Sequence, residues 1–361
     1  MRIAFVRTYP IYHDLEDTDT WLQRETHVRR IPGILSEMGH TVEFWAAARS
    51  QRVHQSQIDG LGDYPIRFFD AVEASRKTKK HYSDSLVEYA RRFDADLHLL
   101  KGTDGGVGTH LIQSFLEPQD RPFVFIIGGE YYTRHVPRAE LVFYETEEQR
   151  RMLRDPGWYV WRTPVPDERL LRMPKLVDTE RFRPMPDVEP EWDIVSVGRL
   201  IPRYKNYDAL GQLSGPFDVA VVGGGPAREK LERSYPEIDW VGPVSHPEVA
   251  TMMNRGRLFM HPSHRDYAPR VIAEAAACGT PILAFAHAIA PDVLPPGCGL
   301  RLDRTYYEEE IGMLLDDEDL IDAMGTRARS YAVEHLGKES AREALERMIR
   351  RVGPAERRSS V

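Results

Sequence analysis

Residues 258–285 constrain the fold most, because signals for a strand, a loop, a helix and a second strand follow one another there without interruption. The stretch opens with an apolar run that suits a buried strand and stops at a Pro-Ser pair. Pro269 and Gly279 are typical start and stop residues, so the sequence predicts a helix over residues 270–278. Residues 280–285 then predict the next strand. A strand, helix, strand unit of this kind belongs to a parallel sheet covered by helices.

The start of this predicted helix is also a candidate ligand site. Free N–H groups and the helix dipole favour an anion such as phosphate at a helix N-terminus. Arg270 and Glu274 are four residues apart and share one helix face, where a cation and a carboxylate could reach one ligand at different depths. An ordinary Arg to Glu pair on a solvated face explains the same spacing, and both interpretations stay open.

The chain of 361 residues is too long for one ordinary hydrophobic core, so two domains are expected. Strands alternate with helices from residue 2 to residue 153, and a second such series begins at residue 193. Seven prolines lie between them in residues 156–190, where the apolar residues follow neither a helical nor a strand period. The predicted fold class is α/β with two Rossmann-like doubly wound domains. The predicted parts are an N-terminal domain over residues 1–170, a hinge over 171–190 and a C-terminal domain over 191–337.

Composition excludes several classes of protein. The formal net charge of -8 argues against general nucleic-acid binding. Cys278 and Cys298 provide neither a disulfide framework nor zinc-ligand spacing, and two such cysteines fit a reducing compartment. The N-terminus begins directly as a strand without the apolar core of a signal peptide, and no run of about 18 apolar residues occurs. A soluble cytoplasmic protein is therefore expected.

One dense basic run stands out against this acidic background. It comprises Arg76, Lys77, Lys79 and Lys80, followed by His81. A solvated loop is one interpretation. A contact with an anionic acceptor, or a peripheral contact with the inner face of an acidic membrane, is the other.

Two further segments could bind a ligand. Arg199 follows the first strand of the second series and Lys205 precedes the next helix, so two cations suited to a diphosphate stand at the carboxyl end of a strand. A surface arginine and a solvated lysine are the alternative. Glycines 223–225 form a turn whose backbone could approach a ligand, although tight turning alone explains them. They are not a dinucleotide fingerprint, because Arg228 occupies the third glycine position.

These motifs together resemble the retaining GT-B glycosyltransferases of family 4, the group 1 glycosyl transferases. The resemblance rests on Asp266 eight residues before Glu274, on the Ala-Cys-Gly-Thr-Pro that follows, on the Gly-Gly-Gly-Pro turn and on the hinge-like KLVDTERFRP from Lys175. It implies two domains that face across a cleft, with the helix over residues 338–352 packing back on the first. It also implies transfer of a sugar, with retention, from a nucleotide-diphosphate sugar to a hydroxyl acceptor, which is a glycan, a lipid-linked molecule or a small molecule. No metal and no further cofactor are implied.

The family's site residues carry over to matching positions of this chain. Arg199 and Lys205 would contact the diphosphate, Asp266 the donor sugar and Glu274 the ribose, and these four are the candidate catalytic residues. The remaining candidates for nucleotide binding are Gly198, Gly223, Gly225, Val241, Tyr267, Ala268 and Arg270.

The first domain matches the family less well. Members usually have a Gly-Gly pair in the first loop, where this chain carries Asp14, Glu16, Asp17 and Asp19. A strand-end histidine that meets the transferred sugar in many members has no counterpart here, and neither His110 nor His135 is named as catalytic. Two alternatives therefore stay open: a sugar-nucleotide epimerase of the same architecture, and a non-catalytic GT-B-like binding or scaffold protein.

Overall fold

The computed structural model describes residues 1–353 apart from residues 14–16, 25, 130–131, 156, 158–161, 174 and 267, and apart from the side chains of residues 24, 26 and 27. The chain divides into two compact units. Unit 1 comprises Met1–Met173 with Ala341–Val361, and unit 2 comprises Pro174–Ser340. Each unit is built on its own sheet.

Unit 1 contains an eight-stranded sheet in the order β3-β4-β2-β1-β5-β6-β7-β8. Its strands are β1 Arg2–Arg7, β2 Thr41–Ala48, β3 Arg52–Ser56, β4 Tyr64–Asp70, β5 Leu97–Lys101, β6 Phe123–Ile126, β7 Leu141–Tyr144 and β8 Leu170–Arg172. All neighbours pair in parallel except β3, which runs antiparallel to β4 at the edge. The inner strands are apolar and buried on both faces, as expected for a parallel sheet between helix layers.

The helices of unit 1 follow their capping signals. They are α1 Thr18–Arg24, α2 Thr26–Glu37, α3 Asp84–Phe93, α4 Gly106–Leu111 (which continues as a π-helical turn, Ile112–Leu116) and α5 Glu147–Arg154. Thr146 and Gln149 form a capping box at the start of α5. Pro32 lies inside α2 rather than at its first turn.

Unit 2 contains a six-stranded, wholly parallel sheet in the order β11-β10-β9-β12-β13-β14. Its strands are β9 Trp192–Val197, β10 Val219–Val222, β11 Asp239–Gly242, β12 Gly256–His261, β13 Ile282–Phe285 and β14 Gly299–Leu302. The chain proceeds outward from β9 in one direction and outward from β12 in the other. The neighbouring strands β9 and β12 therefore form the topological switch point, where open α/β sheets bind ligands.

Helices cover both faces of this sheet. They are α6 Tyr207–Leu213, α7 Arg228–Ser234, α8 His246–Asn254, α9 Arg270–Cys278, α10 Tyr307–Leu315 and α11 Glu318–Tyr331. Ile194 belongs to the core on one face and the adjacent Val195 to the core on the other, which is the period of two expected for a strand. Helix α9 spans the predicted residues 270–278, and Gly279 ends it in the left-handed conformation with a φ of 74°.

The last helix, α12 Lys338–Val352, lies almost entirely in unit 1. Arg342 forms an ion pair of 3.1 Å with Glu37. The guanidinium of Arg351 donates to the carbonyl oxygens of Glu168 and Leu170 at 3.1 and 3.2 Å. The last eight residues, which the sequence predicts to be disordered, lie outside the described part of the chain.

The basic run of unit 1 is smaller than the sequence indicates. Arg76, Lys77, Lys79 and Lys80 are exposed, and the ammonium of Lys79 lies 3.7 Å from the carboxylate of Asp104. The imidazole of His81 is instead buried, because Tyr12 and a backbone carbonyl bind its two ring nitrogens at 2.8 and 2.7 Å. His81 therefore does not belong to an exposed cationic surface. In the part of the chain that the structure describes, no helix combines the length and apolarity needed to cross a bilayer.

Candidate functional site

A cavity of about 510 Å³ opens at the switch point of unit 2, between the carboxyl ends of β9 and β12. Its wall consists of the loop after β9, the end of β12, the loop that follows it and the first turns of α8 and α9. The lining residues are Val197, Gly198, Arg199, Ile201, Tyr204, Lys205, His246, Val249, His261, Asp266, Pro269, Arg270, Val271 and Glu274. This volume suits a small-molecule ligand.

The loop between β9 and α6 brings two cations to the cavity. The side chain of Arg199 is exposed, and among the described residues its guanidinium has no hydrogen-bond or ion-pair partner. Lys205 is only partly accessible, and burial lowers the pKa of its ammonium while the charge of Asp266 opposes this effect. The two cations predicted at this strand end are thus both present, Arg199 as an exposed side chain and Lys205 as a partly buried one.

Lys205 and Asp266 are joined through a histidine at the end of β12. The ammonium of Lys205 lies 3.4 Å from Nδ1 of His261, and Nε2 of His261 lies 3.5 Å from Oδ2 of Asp266. His261 is completely buried. The second distance is at the outer limit of hydrogen bonding, and Nε2 has no well-formed hydrogen bond among the described residues.

Burial and neighbouring charges set the protonation of this chain of groups. Burial lowers the pKa of His261 to about 4, against the opposing effect of Asp266, so the imidazole is neutral at neutral pH. Burial also acts to raise the pKa of Asp266. His261, Lys205 and Lys175 outweigh that effect, so the pKa lies below its ordinary value and the group is a carboxylate.

Glu274 has a histidine of its own on the other side of the cavity. Nε2 of His246, the first residue of α8, lies 3.1 Å from Oε1 of Glu274. The guanidinium of Arg181 lies 3.3 Å from Nδ1 of the same imidazole. Because arginine only donates, Nδ1 accepts and Nε2 carries the hydrogen that Glu274 receives. Glu274 therefore accepts a hydrogen bond from His246, and because its side chain is buried it does not lie on the solvated helix face that the alternative interpretation assumed.

Helix α9 holds Glu274 rigidly. Every residue from Ile272 to Cys278 is buried, and most are alanines that allow neighbouring elements to approach closely. Arg329 donates to the carbonyl oxygen of Ala277 at 2.8 Å and so binds the C-terminal turn of the helix. The first residues, Arg270 and Val271, line the cavity and direct the N-terminal end of the helix toward it.

The glycine turn after β10 packs against residues 198–206, the loop that carries Arg199 and Lys205 and is called the cation loop below. At Gly223, with a φ of 145°, an added Cβ would overlap the carbonyl oxygen of Gly198. At Gly225 it would lie 2.7 Å from the carbonyl oxygen of Leu200. These two glycines therefore support the loop that carries Arg199, and neither lines the cavity.

Gly223→Ala is expected to destabilise the protein by more than about 3 kcal/mol, because both the backbone conformation and the overlap with Gly198 oppose a side chain. Gly224→Ala is the matched control. A Cβ at Gly224 would make an ordinary contact of 3.5 Å with Pro243, so we expect a change within about 0.5 kcal/mol. Urea denaturation of the two variants measures the difference. Equal stabilities would show that the turn is not held against the loop as described.

The structure brings six of the predicted site residues to one cavity: Gly198, Arg199, Lys205, Asp266, Arg270 and Glu274. Gly223, Gly225, Val241 and Ala268 do not line it, and Tyr267 lies outside the described residues. The sequence analysis missed His246 and His261. Signals for both were present, since His246 follows the N-cap of a Ser-x-x-Glu capping box and His261 is a polar residue at the end of an apolar strand.

The acidic loop of unit 1 is partly engaged in local structure. Oδ1 of Asp17 accepts the backbone N–H of Thr20 at 2.8 Å at the start of α1. Asp19 forms an ion pair of 2.6 Å with Arg52. Asp14 and Glu16 lie outside the described residues. His110 and His135 pair with Asp84 and Glu117 at 2.9 and 2.7 Å, which are local structural contacts within unit 1.

Residues 191–328 match the family model of the glycosyl transferases group 1. The resemblance to that group is confirmed for this segment, which contains all four candidate catalytic residues.

Curated relatives match part of this chain, and in each case only part of the relative is matched. A GDP-mannose-dependent alpha-mannosyltransferase of Corynebacterium glutamicum is 30% identical over 148 residues, which are 37% of this chain and 36% of that protein. The gpi3 subunit of a phosphatidylinositol N-acetylglucosaminyltransferase of Schizosaccharomyces pombe is 26% identical over 147 residues, 39% of this chain and 30% of that one. A GDP-mannose-dependent alpha-(1-6)-phosphatidylinositol monomannoside mannosyltransferase of Mycolicibacterium smegmatis is 28% identical over 207 residues, 47% of this chain and 53% of it. The chain thus matches about half of the length of these relatives, or less.

Solved structures resemble the whole chain. Sucrose-phosphate synthase from Thermosynechococcus elongatus has a TM-score of 0.74 at 16% identity and covers 98% of this chain and 99% of its own. Anabaena HepE in complex with UDP has a TM-score of 0.66 at 13% identity, with coverage of 97% and 99%. These likenesses confirm the predicted fold class: two Rossmann-like α/β domains of the GT-B glycosyltransferase type.

Proposed function

We propose that the chain is a glycosyltransferase that moves a sugar from a nucleotide-diphosphate sugar to a hydroxyl acceptor, with retention at the anomeric carbon. One observation carries this proposal. Two cations and two carboxylates, Arg199, Lys205, Asp266 and Glu274, line one cavity at the switch point of unit 2. This unit contains the segment that matches the group 1 family model.

The diphosphate is assigned to the cationic side of the cavity. Arg199 has a guanidinium with no partner among the described residues, and Lys205 presents a fixed ammonium on the same loop. The N-terminal turn of α9 adds backbone N–H groups and a favourable dipole. Together they would stabilise the negative charge that develops on the leaving diphosphate as the bond to the sugar breaks.

The two carboxylates are assigned to the hydroxyl groups of the donor. Glu274 is buried and oriented by His246, which suits a fixed acceptor for the ribose hydroxyls. Asp266 is more accessible and lies on the loop beside Lys205, which suits the donor sugar. In this proposal the leaving diphosphate helps to remove the proton from the acceptor hydroxyl, so the site needs no separate protein base.

The test is turnover of nucleotide sugars by the full chain. GDP-mannose and UDP-N-acetylglucosamine are the first donors to offer, because relatives are named for GDP-mannose and for N-acetylglucosaminyl transfer and HepE was solved with UDP. We expect release of nucleoside diphosphate with one class of donor, and we expect it to persist in EDTA because protein cations neutralise the diphosphate. An absolute requirement for Mg²⁺ or Mn²⁺ would contradict metal independence. Release of an epimer without an acceptor would favour the epimerase instead.

For the acceptor, relatives named for phosphatidylinositol substrates support a lipid-linked hydroxyl as the first class to test. The exposed residues Arg76, Lys77, Lys79 and Lys80 of unit 1 would supply a peripheral contact with an anionic surface.

A further inference from the structure

We propose that His261 is a positioning residue of the donor site, where its neutral imidazole bridges Lys205 and Asp266 and holds both side chains in one arrangement. This inference rests on the proposed function, because a positioning residue needs a ligand to position. The bridge runs from the ammonium of Lys205 to Nδ1 over 3.4 Å and from Nε2 to Oδ2 of Asp266 over 3.5 Å.

The chemistry of the two neighbours fixes which ring nitrogen carries the hydrogen. An ammonium group has only hydrogens to donate, so Nδ1 of His261 must accept. In a neutral ring the hydrogen then resides on Nε2, which is the nitrogen that faces the carboxylate. Lys205 therefore selects the tautomer that can donate to Asp266.

The surroundings disfavour the protonated form of the ring at neutral pH. His261 is completely buried, and burial lowers its pKa to about 4. The charged groups that act on it are Asp266, which opposes the shift, and Lys205, which adds to it. A protonated ring would place a second, buried cation beside the ammonium of Lys205.

The bridge also explains why the cation loop and the loop after β12 stay together. Residues Lys205 and Ser263 form an isolated antiparallel bridge, and the backbone N–H of His264 donates to the carbonyl oxygen of Tyr204 at 3.1 Å. His261 adds a side-chain contact with Lys205 between the same two parts of the chain. Since Nε2 lacks a well-formed hydrogen bond among the described residues, a small movement of Asp266 toward the ring on donor binding would complete it.

Three variants distinguish the polar contacts of His261 from its contribution to packing. His261→Asn places an amide oxygen where Nδ1 stood and keeps an acceptor for Lys205. His261→Phe fills the space and removes both polar atoms. His264→Asn is the matched control, because His264 is an exposed histidine three residues further along.

The experiment first measures the wild-type affinity for UDP and for GDP by calorimetry and then uses the nucleotide that binds. We expect about tenfold weaker binding in His261→Phe, recovery to within about threefold in His261→Asn, and wild-type affinity in His264→Asn.

Nitrogen NMR of the wild-type imidazoles at neutral pH should show His261 with its hydrogen on Nε2. In Lys205→Met the hydrogen should no longer prefer Nε2. This readout does not depend on the folding of the His261 variants.

The outcomes distinguish the two proposals. If the wild type binds neither nucleotide, the proposed function fails and this inference fails with it. If the wild type binds a nucleotide but His261→Phe binds it equally well, the inference alone is overturned. A hydrogen on Nδ1, or a protonated ring at neutral pH, would also overturn it. Weaker binding in His261→Phe with recovery in His261→Asn supports it.

Discussion

Replacing Arg199 by alanine is expected to weaken the binding of UDP or GDP by about ten- to a hundredfold. The guanidinium lines the cavity and has no partner among the described residues, so its hydrogen bonds remain available for a ligand. A charge-assisted hydrogen bond to a phosphate contributes roughly 1.5 to 3 kcal/mol, and about 1.4 kcal/mol corresponds to a factor of ten in affinity. Because Arg199 is exposed, the stability of the variant should stay within about 0.5 kcal/mol of the wild type.

Arg203→Ala is the matched control for this experiment. Arg203 is an exposed arginine on the same loop, but it lies over the ring of Tyr204 and does not line the cavity. Calorimetric titration should therefore separate the two variants, with loss of affinity confined to Arg199→Ala. If the folded Arg199→Ala and Arg203→Ala variants bind the nucleotide with equal affinity, Arg199 is an ordinary surface residue and the scaffold alternative is favoured.

Acid should destabilise the protein through two buried histidines, one in each unit. Burial lowers the pKa of both His98 and His261 from 6.5 to about 4. Below pH 6.5 the unfolded chain binds protons that the folded chain does not, so stability falls as pH decreases. The loss should reach about 3 kcal/mol per histidine by pH 4.

His98 allows this prediction to be tested away from the site. Its ring lies in the core beside Trp45 and Phe115, and neither ring nitrogen makes a well-formed hydrogen bond in the described part of the chain. The charged groups that act on it are Arg121, which lowers its pKa further, and Asp94, which raises it. His98→Leu should remove about 3 kcal/mol of the pH dependence between neutral pH and pH 4.

Urea denaturation at neutral pH and near pH 4 measures this effect. His335→Asn serves as the control, because His335 is exposed and should leave the acid slope unchanged. An unaltered slope in His98→Leu would show that the imidazole of His98 is already protonated in the folded protein, contrary to its burial.

Much of unit 2 was predictable because its signals are local. The bounds of α9 follow from Pro269 and Gly279, and the apolar runs mark β9, β10, β12 and β13. Three strands were not predicted. β3 is a polar edge strand, β8 is only three residues long within the Pro-rich segment, and β14 has an arginine between its leucines, so none has the apolar run that marks an inner strand.

The site was predictable only in part, because it depends on contacts between distant segments. The positions of Arg199, Lys205, Asp266 and Glu274 follow from motifs, and each motif can be read by itself. His246 and His261 acquire their importance from partners 28 and 56 residues away, Glu274 and Lys205 respectively. No sequence period reports such pairings, since Lys205 meets His261 because β9 lies beside β12, and His246 meets Glu274 because α8 packs against α9.

The same limit applies to glycines 223–225. Their composition indicated a close approach to a ligand, whereas Gly223 and Gly225 pack against the backbone of residues 198–200. The sequence shows that these positions have no side chain, but it does not show which neighbouring atom would clash with one.

The central claim, that the nucleotide of a donor binds in the cavity of unit 2, is tested most directly by amide hydrogen exchange on the full chain. The measurement compares the free protein with the protein at roughly 100 times the dissociation constant of UDP or GDP, where binding stabilises by about 2.7 kcal/mol. We predict that exchange slows most over residues 198–206 and 268–275, which contain the cation loop and the start of α9. Slowing confined to other segments, with neither of these protected in the bound protein, would contradict the assignment.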